Sequence, residues 1–448
     1  MEIEDTPSQV SFASILGKPV EVTFDGGTLT SDSGALLLRA VESQVGVVDQ
    51  LTQALTDRRH PSYVDHSLAD LLKQRVFQIA CGYEDANDCN DLRTDPGFKA
   101  ACDRWPISGT DLASQPTMSR LENGIGRREL YRMAYALADG FIASYDQPPA
   151  CVVLDIDDTE DEVHGEQQLA LFNTYYDARC FLPLHIYEGQ TGQLITAILR
   201  PGARPTGKQI VSILKRLMAH LRQAWPQVEI FLRGDGHFSC PEVHDFCDAN
   251  RVYFALGQTG NSRLAPLGHP LMEQAQALYQ ETDQPVQLFE AFDYQASTWA
   301  RPRRIIHKAE ITATGQKNAR FVVTNLESSQ PSFIYKTIYC ARGQMENFIK
   351  NHKTFLHSDR TSCHTFEANQ FRLFLHSAAY ILLHYLAHQG LQGTSWVNKQ
   401  FNTLQQRLLK VAGRVCELKT KIKFHLPTSF PLKHLYDKIL YNLSLAFP

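Results

Sequence analysis

Two short apolar segments that end in acidic residues constrain the fold of this chain more than any other feature. Cys151–Asp157 (CVVLDID) and Val228–Leu232, which is followed by Asp235, have the length and composition of buried strands. Between them, apolar residues at helical spacing predict a helix over Lys208–Leu221, and a further strand is predicted over Val252–Leu256. Strands that alternate with helices indicate an α/β layer, in which ligands bind beyond the carboxyl ends of the strands.

The rest of the chain predicts three more regions. Residues from about 34 to 142 are expected to be helical, and a second helix-rich region is expected to begin near Tyr335 and to reach the end of the chain. A helix is predicted over Pro241–Ala249, and from about residue 257 to residue 330 the pattern changes to antiparallel strands. The further predicted strands are Leu169–Tyr176, Phe181–Tyr187, Gln193–Leu199, Val286–Phe292, Arg304–Thr312 and Arg320–Thr324.

Composition excludes several classes of protein. With 448 residues, 43% hydrophobic and 21% charged, the chain can bury several cores and is neither wholly disordered nor a fibre. It has no apolar run of the roughly 18 residues needed for a membrane helix, and its acidic, polar N-terminus is not typical of a signal peptide. Ten cysteines without a framework spacing suit a reducing compartment. We therefore expect a cytoplasmic protein without a membrane partner.

Charge is distributed unevenly along the chain. Residues 351–448 contain 12 Lys and Arg but 4 Asp and Glu, whereas residues 1–150 contain 13 basic and 22 acidic residues. A basic segment of this kind is typical of a polyanion-binding surface, or of a solvated basic face. Within it, Leu418–Leu426 alternates strictly, which predicts one strand with a buried face and a basic face formed by Lys419, Lys421 and Lys423. An edge strand protected by lysines would have the same pattern.

A second candidate for DNA contact lies in the N-terminal helical region. Ser114 is a suitable cap for a helix with Pro116 in its first turn. The start of this helix resembles the recognition helix of helix-turn-helix proteins, although a capped surface helix would look alike. The residues that it would present are Gln115, Thr117, Ser119 and Arg120.

The acids at the strand ends predict a metal site. If their strands are neighbours, Asp157 and Asp235 lie within reach of shared divalent cations, which prefer oxygen ligands. A third acid is available in residues 339–353, where a helix would align one carboxylate with a tyrosine and three cations that could hold phosphates. A self-neutralised solvent face is the alternative. The residues on this helical face are Tyr339, Arg342, Glu346, Lys350 and Lys353.

The spacing Tyr339-x2-Arg342-x3-Glu346-x6-Lys353 resembles the Tyr-Arg-Glu-Lys signature of bacterial insertion-sequence transposases of the DDE class. The blocks LDIDDTED, LRGDGHF, RFVVTNL and YCARGQMENFIK are similar to blocks of the same family in the same order. The resemblance implies an RNase H-like catalytic core with a β-rich insertion, flanked by a helical N-terminal DNA-binding domain and a mainly helical, basic C-terminal region. The implied boundaries are residues 1–148, 149–256 with 331–362, 257–330 and 363–448.

The same resemblance implies the chemistry. Asp157, Asp235 and Glu346 would bind two Mg²⁺ ions, for which Mn²⁺ can substitute, and Asp155 remains an alternative first acid. Tyr339, Arg342 and Lys353 would contact the DNA at the transposon end. The enzyme would act as an endonuclease at the terminal inverted repeats of its element and join the cut ends to target DNA, which is cut-and-paste transposition. It would act as a homodimer in the synaptic complex.

Related transposases stack an aromatic residue of the insertion on a flipped base. The resemblance gives Trp299, among Arg301, Arg303 and Arg304, as the counterpart here. A tryptophan packed in a β-layer is the alternative interpretation.

Two other functions compete with this one. The segment Asp155-Ile-Asp157-Asp-Thr159 also resembles the first motif of haloacid-dehalogenase-type phosphatases, with Asp155 as the nucleophile. That interpretation uses neither the helix at 339–353 nor the basic C-terminal residues. A DNA-binding regulator without catalysis would account for the helix at 114–120 but would leave the three acids unexplained.

Overall fold

The computed structural model describes residues 9–444, and strands form where the sequence has short apolar or alternating segments. In chain order they are β1 (Gln9–Ile15), β2 (Lys18–Thr23), β3 (Leu29–Thr30), β4 (Cys151–Asp158), β5 (Asp161–Glu162), β6 (Leu171–Asn173), β7 (Ala178–Phe181), β8 (Leu184–Glu188), β9 (Leu194–Ile198), β10 (Glu229–Gly234), β11 (Val252–Gln258), β12 (Val286–Tyr294), β13 (Arg303–Ile311), β14 (Lys317–Thr324), β15 (Gly413–Leu418) and β16 (Lys421–His425).

Helices occupy the segments with apolar residues at helical spacing. They are α1 (Ala35–Val45), α2 (Val47–Gln53), α3 (Leu68–Ala80), α4 (Asp88–Leu92), α5 (Pro96–Ala101), α6 (Gln115–Gly124), α7 (Arg127–Ala143), α8 (Gly207–Ala224), α9 (Pro241–Ala249), α10 (Leu264–Thr282), α11 (Pro331–Phe333), α12 (Gln344–Lys350), α13 (Phe366–Tyr385), α14 (Phe401–Leu404) and α15 (Lys433–Ser444). Short 3₁₀ turns form at Pro61–Tyr63 and Cys340–Gly343, and π turns form at Ile334–Tyr339, Asn351–Phe355, Leu386–Gly390 and Gln405–Leu409. No helix within residues 9–444 has the length and apolarity that a membrane crossing requires.

The chain divides into two units. The first comprises Met1–Val48, Asp57–Leu121 and Tyr385–Pro448, and the second comprises Asp49–Thr56 and Glu122–His384. The first unit contains most of the N-terminal helices, the hairpin β1–β2 and the three-stranded sheet β16-β15-β3. The helical character predicted for residues 34–142 is confirmed, whereas the N-terminal hairpin was not predicted.

The second unit contains a mixed α/β structure around a sheet of eight strands in the order β12-β13-β14-β11-β10-β4-β8-β9. Strands β4, β10 and β11 are parallel neighbours, and the other adjacent pairs are antiparallel. On one face, Val152, Leu154 and Ile156 pack with apolar residues of α7, α8 and α9. On the other face, Val153 packs with other residues of the sheet and with Ile334, which lies in the helical segment after β14. The alternating side chains of β4 therefore bury both faces of the sheet.

The β-rich segment predicted as an insertion continues this sheet. Its three antiparallel strands are present, and β14 pairs directly with β11, so that these strands and the central ones belong to a single sheet. The segment begins with α10, a helix of 19 residues that was not predicted from the sequence. Its residues contact β12 and β13, and Leu271, Met272 and Ala275 pack against Ala309 and Ile311.

Three predicted strands differ from the observed ones. The segment Phe181–Tyr187 is divided between β7 and β8, because Leu182 and Pro183 separate them. The segment Leu169–Tyr176 forms only the short strand β6, and its last residues turn towards β7. The single alternating strand predicted over Leu418–Leu426 is wrong, because residues 419 and 420 form a hairpin turn between β15 and β16.

Candidate active site

The two predicted acids lie at the carboxyl ends of neighbouring strands. Strands β4 and β10 are parallel, and their register pairs Leu154 with Leu232 and Asp155 with Arg233. Two residues further along, the same register brings Asp157 level with Asp235. Both residues are partly buried. This is the edge of an α/β sheet at which a ligand is expected to bind.

The environment of Asp157 favours a bound cation. Burial raises the pKa of its carboxyl group to about 7, the guanidinium of Arg342 opposes this shift, and the nearby carboxylates of Asp235 and Asp158 add to it. Such mutual repulsion between partly buried carboxylates is relieved when a divalent ion binds between them. The donor set of Asp157 and Asp235 therefore fits a hard divalent cation.

Asp155 has a structural environment. It is completely buried, and both of its carboxylate oxygens accept hydrogen bonds from Arg233, at 2.6 and 2.7 Å. Arg233 also donates to the carbonyl groups of Ile338 and Gly189. A carboxylate held in this way by a buried guanidinium is poorly placed to act as a nucleophile or as a metal ligand, which favours Asp157 over Asp155 as the first acid and argues against the phosphatase interpretation.

His237, which was not assigned from the sequence, lies between Asp235 and Asp158. The backbone N–H of His237 donates to Asp235 Oδ1 at 2.9 Å, and its Nδ1 lies 3.4 Å from Asp158 Oδ1. The hydrogen bond to Asp158 raises the pKa of His237. His237 stands in the LRGDGHF block directly after the second acid, and that position was the available signal.

Three residues of the tyrosine-arginine-glutamate-lysine pattern lie at the same strand ends. They belong to the helical segment 331–355, which we call the site helix. Arg342 donates to Asp157 Oδ2 at 2.6 Å, and Lys353 donates to the carbonyl oxygen of Glu160 and lies 3.4 Å from Thr159 Oγ1. The Tyr339 hydroxyl occupies the space left by a glycine, since a Cβ on Gly257 would lie 2.7 Å from it.

The other two residues of the predicted face are open to solvent. Glu346 is exposed in the first turn of α12, and Lys350 is exposed with its ammonium 5.5 Å from the centre of the Phe355 ring. The prediction of a single aligned face assumed a regular helix. The site helix instead contains two π turns and a 3₁₀ turn, which change the angle between successive side chains.

The three predicted metal ligands are therefore not grouped in this structure. Asp157 and Asp235 lie together, but among residues 9–444 there is no cluster of three or more acidic, histidine or cysteine side chains arranged to hold a metal ion.

The predicted recognition helix begins as expected. α6 starts at Gln115, the residue after Ser114, and the backbone N–H of Gln115 donates to Asn90 Oδ1. Arg120 is exposed and donates to Thr117 Oγ1 at 3.1 Å. Gln115, Thr117 and Ser119 are partly exposed. Their side chains lie on a surface, as both the DNA-contact and the capped-helix interpretations require.

The aromatic and basic residues near position 300 are occupied within the protein. Trp299 is buried and packs against Tyr294 and His244. This agrees with the alternative interpretation, a tryptophan packed in a β-layer, and leaves no face of the ring open for a base. Arg301 pairs with Asp248, Arg303 pairs with Asp245 and Asp248, and Arg304 donates to the carbonyl groups of Leu326, Glu327 and Ser329.

The basic residues of the C-terminal region lie on an exposed hairpin. Lys419 is in the turn, and Lys421 and Lys423 are in β16. The predicted buried face is largely missing, because Leu418 and Ile422 are exposed. In the observed pairing, Arg414 lies opposite His425, so the basic face also includes a residue of β15.

Comparisons with known proteins give the family. A family model described as "Transposase DDE domain group 1" matches residues 12–447. The solved structures that resemble the chain include a cryo-EM structure of piggyBac transposase in a synaptic complex with hairpin DNA, with 11% identity, a TM-score of 0.39, and coverage of 94% of this chain and 86% of that chain. No match was found among curated protein sequences. The family match extends over nearly the whole chain, so the protein belongs to the DDE transposases and is a DNA-cleaving, strand-transferring enzyme.

Proposed function

We propose that this transposase excises its element by cutting at the terminal inverted repeats and inserts it into target DNA by cut-and-paste transposition. The observation that carries the proposal is the position of Asp157 and Asp235 at adjacent strand ends, with Tyr339, Arg342 and Lys353 directed to the same place. Carboxylates hold divalent cations, and the cationic side chains bind the phosphates of DNA.

Asp157 and Asp235 would hold the metal, and Glu346 would complete the set. The proposed ions are two Mg²⁺, with Mn²⁺ as a substitute, and when bound they supply activation of the attacking oxygen and stabilisation of the leaving one. Glu346 lies on the same irregular helix as Arg342. We propose that DNA draws Arg342 away from Asp157 to a phosphate and that the π and 3₁₀ turns of the site helix allow Glu346 to approach the acid pair.

The roles of the protein side chains follow from their positions. Arg342 and Lys353 would hold phosphates on either side of the cleaved bond, Tyr339 would fix the backbone beside Asp235, and Lys350 would contact the DNA further out. Cleavage would release a DNA 3′-hydroxyl, which then attacks the opposite strand or the target DNA. No covalent link between protein and DNA is needed, so no serine or tyrosine nucleophile is proposed.

Further DNA contacts would come from both units. We propose an RNase H-like core over residues 149–256 and 331–362, supported by the strand order β9-β8-β4-β10-β11. The helical domain 1–148 would bind the element ends through Gln115, Thr117, Ser119 and Arg120, and the C-terminal region 363–448 would bind through Lys419, Lys421 and Lys423. Arg301, Arg303 and Arg304 of the insertion 257–330 would contribute only if their ion pairs opened. We propose a homodimer that joins two element ends, acting on the bacterial chromosome in the cytoplasm.

The test is cleavage of the DNA that flanks the coding sequence of this protein, in the presence of Mg²⁺. Asp157→Asn, Asp235→Asn and Glu346→Gln should each reduce cleavage by at least about 100-fold, because each removes a carboxylate proposed to hold the metal ions. Glu273→Gln is the matched control, since Glu273 is an exposed acid on α10. Binding of the same DNA by each variant, measured without cleavage, separates a catalytic defect from a loss of affinity.

Two results would contradict the proposal. If Glu346→Gln cleaves at the wild-type rate, Glu346 is not part of the metal site. Its exposed position in this structure would agree with that result. If both aspartate variants cleave normally, the acid pair is not the active site.

A further inference from the structure

Two buried histidines join the site helix to the eight-stranded sheet. His352 lies in the π turn Asn351–Phe355 and His185 lies in β8, and both are completely buried. Nδ1 of His352 lies 3.0 Å from Nε2 of His185, and the two rings meet edge to face at 80°. We call these two residues the histidine pair. Neither of them has a role in the proposed chemistry of cleavage.

The histidine pair is neutral, so its hydrogen bond has one donor and one acceptor. Burial lowers the pKa of His185 to about 4, and the ammonium of Lys353 adds to this shift. Burial also holds the pKa of His352 well below its ordinary value, and the imidazoles of His185 and His376 add to that shift. Two neutral imidazoles bond only when the protonated nitrogen of one faces the bare nitrogen of the other. The contact therefore fixes the orientation of both rings.

Helix α13 contacts the other side of the same turn. The hydroxyl of Ser377 lies 3.5 Å from Nε2 of His352, and the ring of Tyr380 meets the His352 ring edge to face. His376 donates from Nδ1 to the carbonyl oxygen of Leu356 at 2.8 Å, directly after the π turn. The end of the site helix is thus held between β8 and α13 by directed polar contacts. Buried polar contacts of this kind favour one arrangement of the chain over others.

Both members of the histidine pair lie next to groups of the active site. The register of β4 and β8 places His185 opposite Asp157. His352 precedes Lys353, whose ammonium donates to the carbonyl oxygen of Glu160 in the loop that follows β4. The Lys353 side chain is 23% exposed, so its ammonium remains within reach of a phosphate.

The rotation of the site helix decides which side chain faces the end of β4. A shift by one residue in one direction would bring Lys353 into the buried position of His352, where its ammonium would lose its hydration. A shift in the other direction would bring Asn351 there and turn Lys353 away from Glu160. An apolar side chain at position 352 could fill the space without fixing this rotation, whereas an imidazole bonded to His185 fits in one orientation.

We propose that the histidine pair positions Lys353 for DNA, because the bond between the two rings sets the rotation of the site helix and so holds the ammonium at the end of β4. His185 and His352 are positioning residues, since neither of them touches DNA. This inference rests on the proposed function, in which Lys353 holds a phosphate beside the cleaved bond. It also makes residues 351–355 the fixed end of the site helix, so that the movement of Glu346 towards the acid pair is confined to the residues before them.

The test is single-turnover cleavage of the flanking DNA by the full-length protein in Mg²⁺, with protein in saturating excess. His352→Phe keeps a ring of similar size but removes the hydrogen bond. It should lower the cleavage rate by about 10- to 100-fold, the loss expected when a group that holds the substrate is displaced. If His352→Phe does not fold, as judged by circular dichroism, His185→Leu takes its place in every comparison.

Conservative variants test whether the hydrogen bond is what matters. His352→Asn should retain most of the cleavage rate, because the asparagine amide reaches the position of Nδ1 and can bond to His185. His185→Gln should do the same, because the glutamine amide reaches the position of Nε2. A loss in His352→Asn as large as that in His352→Phe would overturn the inference.

A double variant distinguishes positioning from a general loss of structure. If the histidine pair acts through Lys353, His352→Phe should have no further effect in a protein that already carries Lys353→Gln. A general defect would instead multiply the two losses. His244→Phe is the matched control and should cleave at the wild-type rate, since His244 is also a fully buried histidine beside a serine hydroxyl but lies in α9.

The outcomes separate this inference from the proposed function. Wild-type cleavage by folded His352→Phe overturns the inference, even if Asp157→Asn abolishes cleavage as proposed. A double variant whose loss is the product of the two single losses also overturns it. If Lys353→Gln cleaves at the wild-type rate, Lys353 is not a DNA contact, and the inference fails together with that part of the proposed function.

Discussion

Asp155 and Asp157 are two residues apart and point to the same side of β4, yet they have different partners. Asp155 is fully buried against Arg233, whereas Asp157 lies at the strand end beside Asp235. The sequence could predict that acids would collect at this edge, because the positions follow from strand periodicity. It could not distinguish the two residues, since the partner of Asp155 comes from a strand that is 78 residues away along the chain.

Asp155→Ala should destabilise the fold strongly. The change leaves the Arg233 guanidinium buried without its carboxylate, and breaking a buried pair from one side costs about 3–5 kcal/mol. Urea denaturation followed by circular dichroism gives the free energy of unfolding. The double variant Asp155→Ala with Arg233→Met should recover part of the loss, and a single variant as stable as the wild type would show that the pair contributes little.

Asp157→Asn should change the pH dependence of stability in the metal-free protein. The pKa of Asp157 is raised from an ordinary value of 3.8 to about 7, so the folded protein retains a proton that the unfolded chain releases. The contribution of this group to stability is therefore present below pH 4 and is lost as the pH rises from about 4 to 7. The variant should be more stable than the wild type at pH 7 and show a flatter profile over that range. Equal profiles, measured by thermal unfolding without divalent ions, would contradict the raised pKa.

Elements with a strong internal pattern were predicted well, and elements fixed by tertiary contacts were not. α9 was predicted over Pro241–Ala249 and has those bounds, because a proline at its first position and apolar periodicity define it locally. The site helix was predicted to be regular, but it contains π and 3₁₀ turns in the segment where Tyr339, Arg342 and Lys353 fit against the strand ends. A pattern of spacings contains no information about that fit, so the position of Glu346 could not be predicted.

The start of α8 offers a test at the same scale. The side chain of Thr206 accepts from the backbone N–H of Gln209, and the side chain of Gln209 accepts from the N–H of Thr206, which is a capping box. Thr206→Ala should lower the free energy of unfolding by about 1 kcal/mol, and Thr206→Ser should have almost no effect. Chemical denaturation measures both, and an alanine variant that equals the serine variant would show that the cap adds nothing.

For the molecule as a whole, the distribution of charge matters more than its sum. The net charge is −4, but the exposed hairpin β15–β16 presents lysines that a polyanion could contact. If these lysines bind phosphates, DNA binding should become less dependent on salt when they are neutralised.

The triple variant Lys419→Gln, Lys421→Gln and Lys423→Gln should therefore bind DNA more weakly. The slope of log K against log salt concentration should fall by about 0.9 for each phosphate contact that is lost. Fluorescence anisotropy at several salt concentrations measures the slope. Lys317→Gln, a change at an exposed lysine of β14, is the control, and an unchanged slope in the triple variant would exclude the hairpin from the DNA contact.

The continuous sheet limits how this enzyme could be reduced in size. Because β14 shields one side of β11, excising residues 264–324 would uncover the unpaired backbone groups of a strand in the middle of the catalytic unit. An exposed, unpaired strand edge can pair with strands of other molecules, so the shortened enzyme would be expected to aggregate rather than to remain active. A smaller version would need a substitute strand, or a charged or proline-containing edge, at β11.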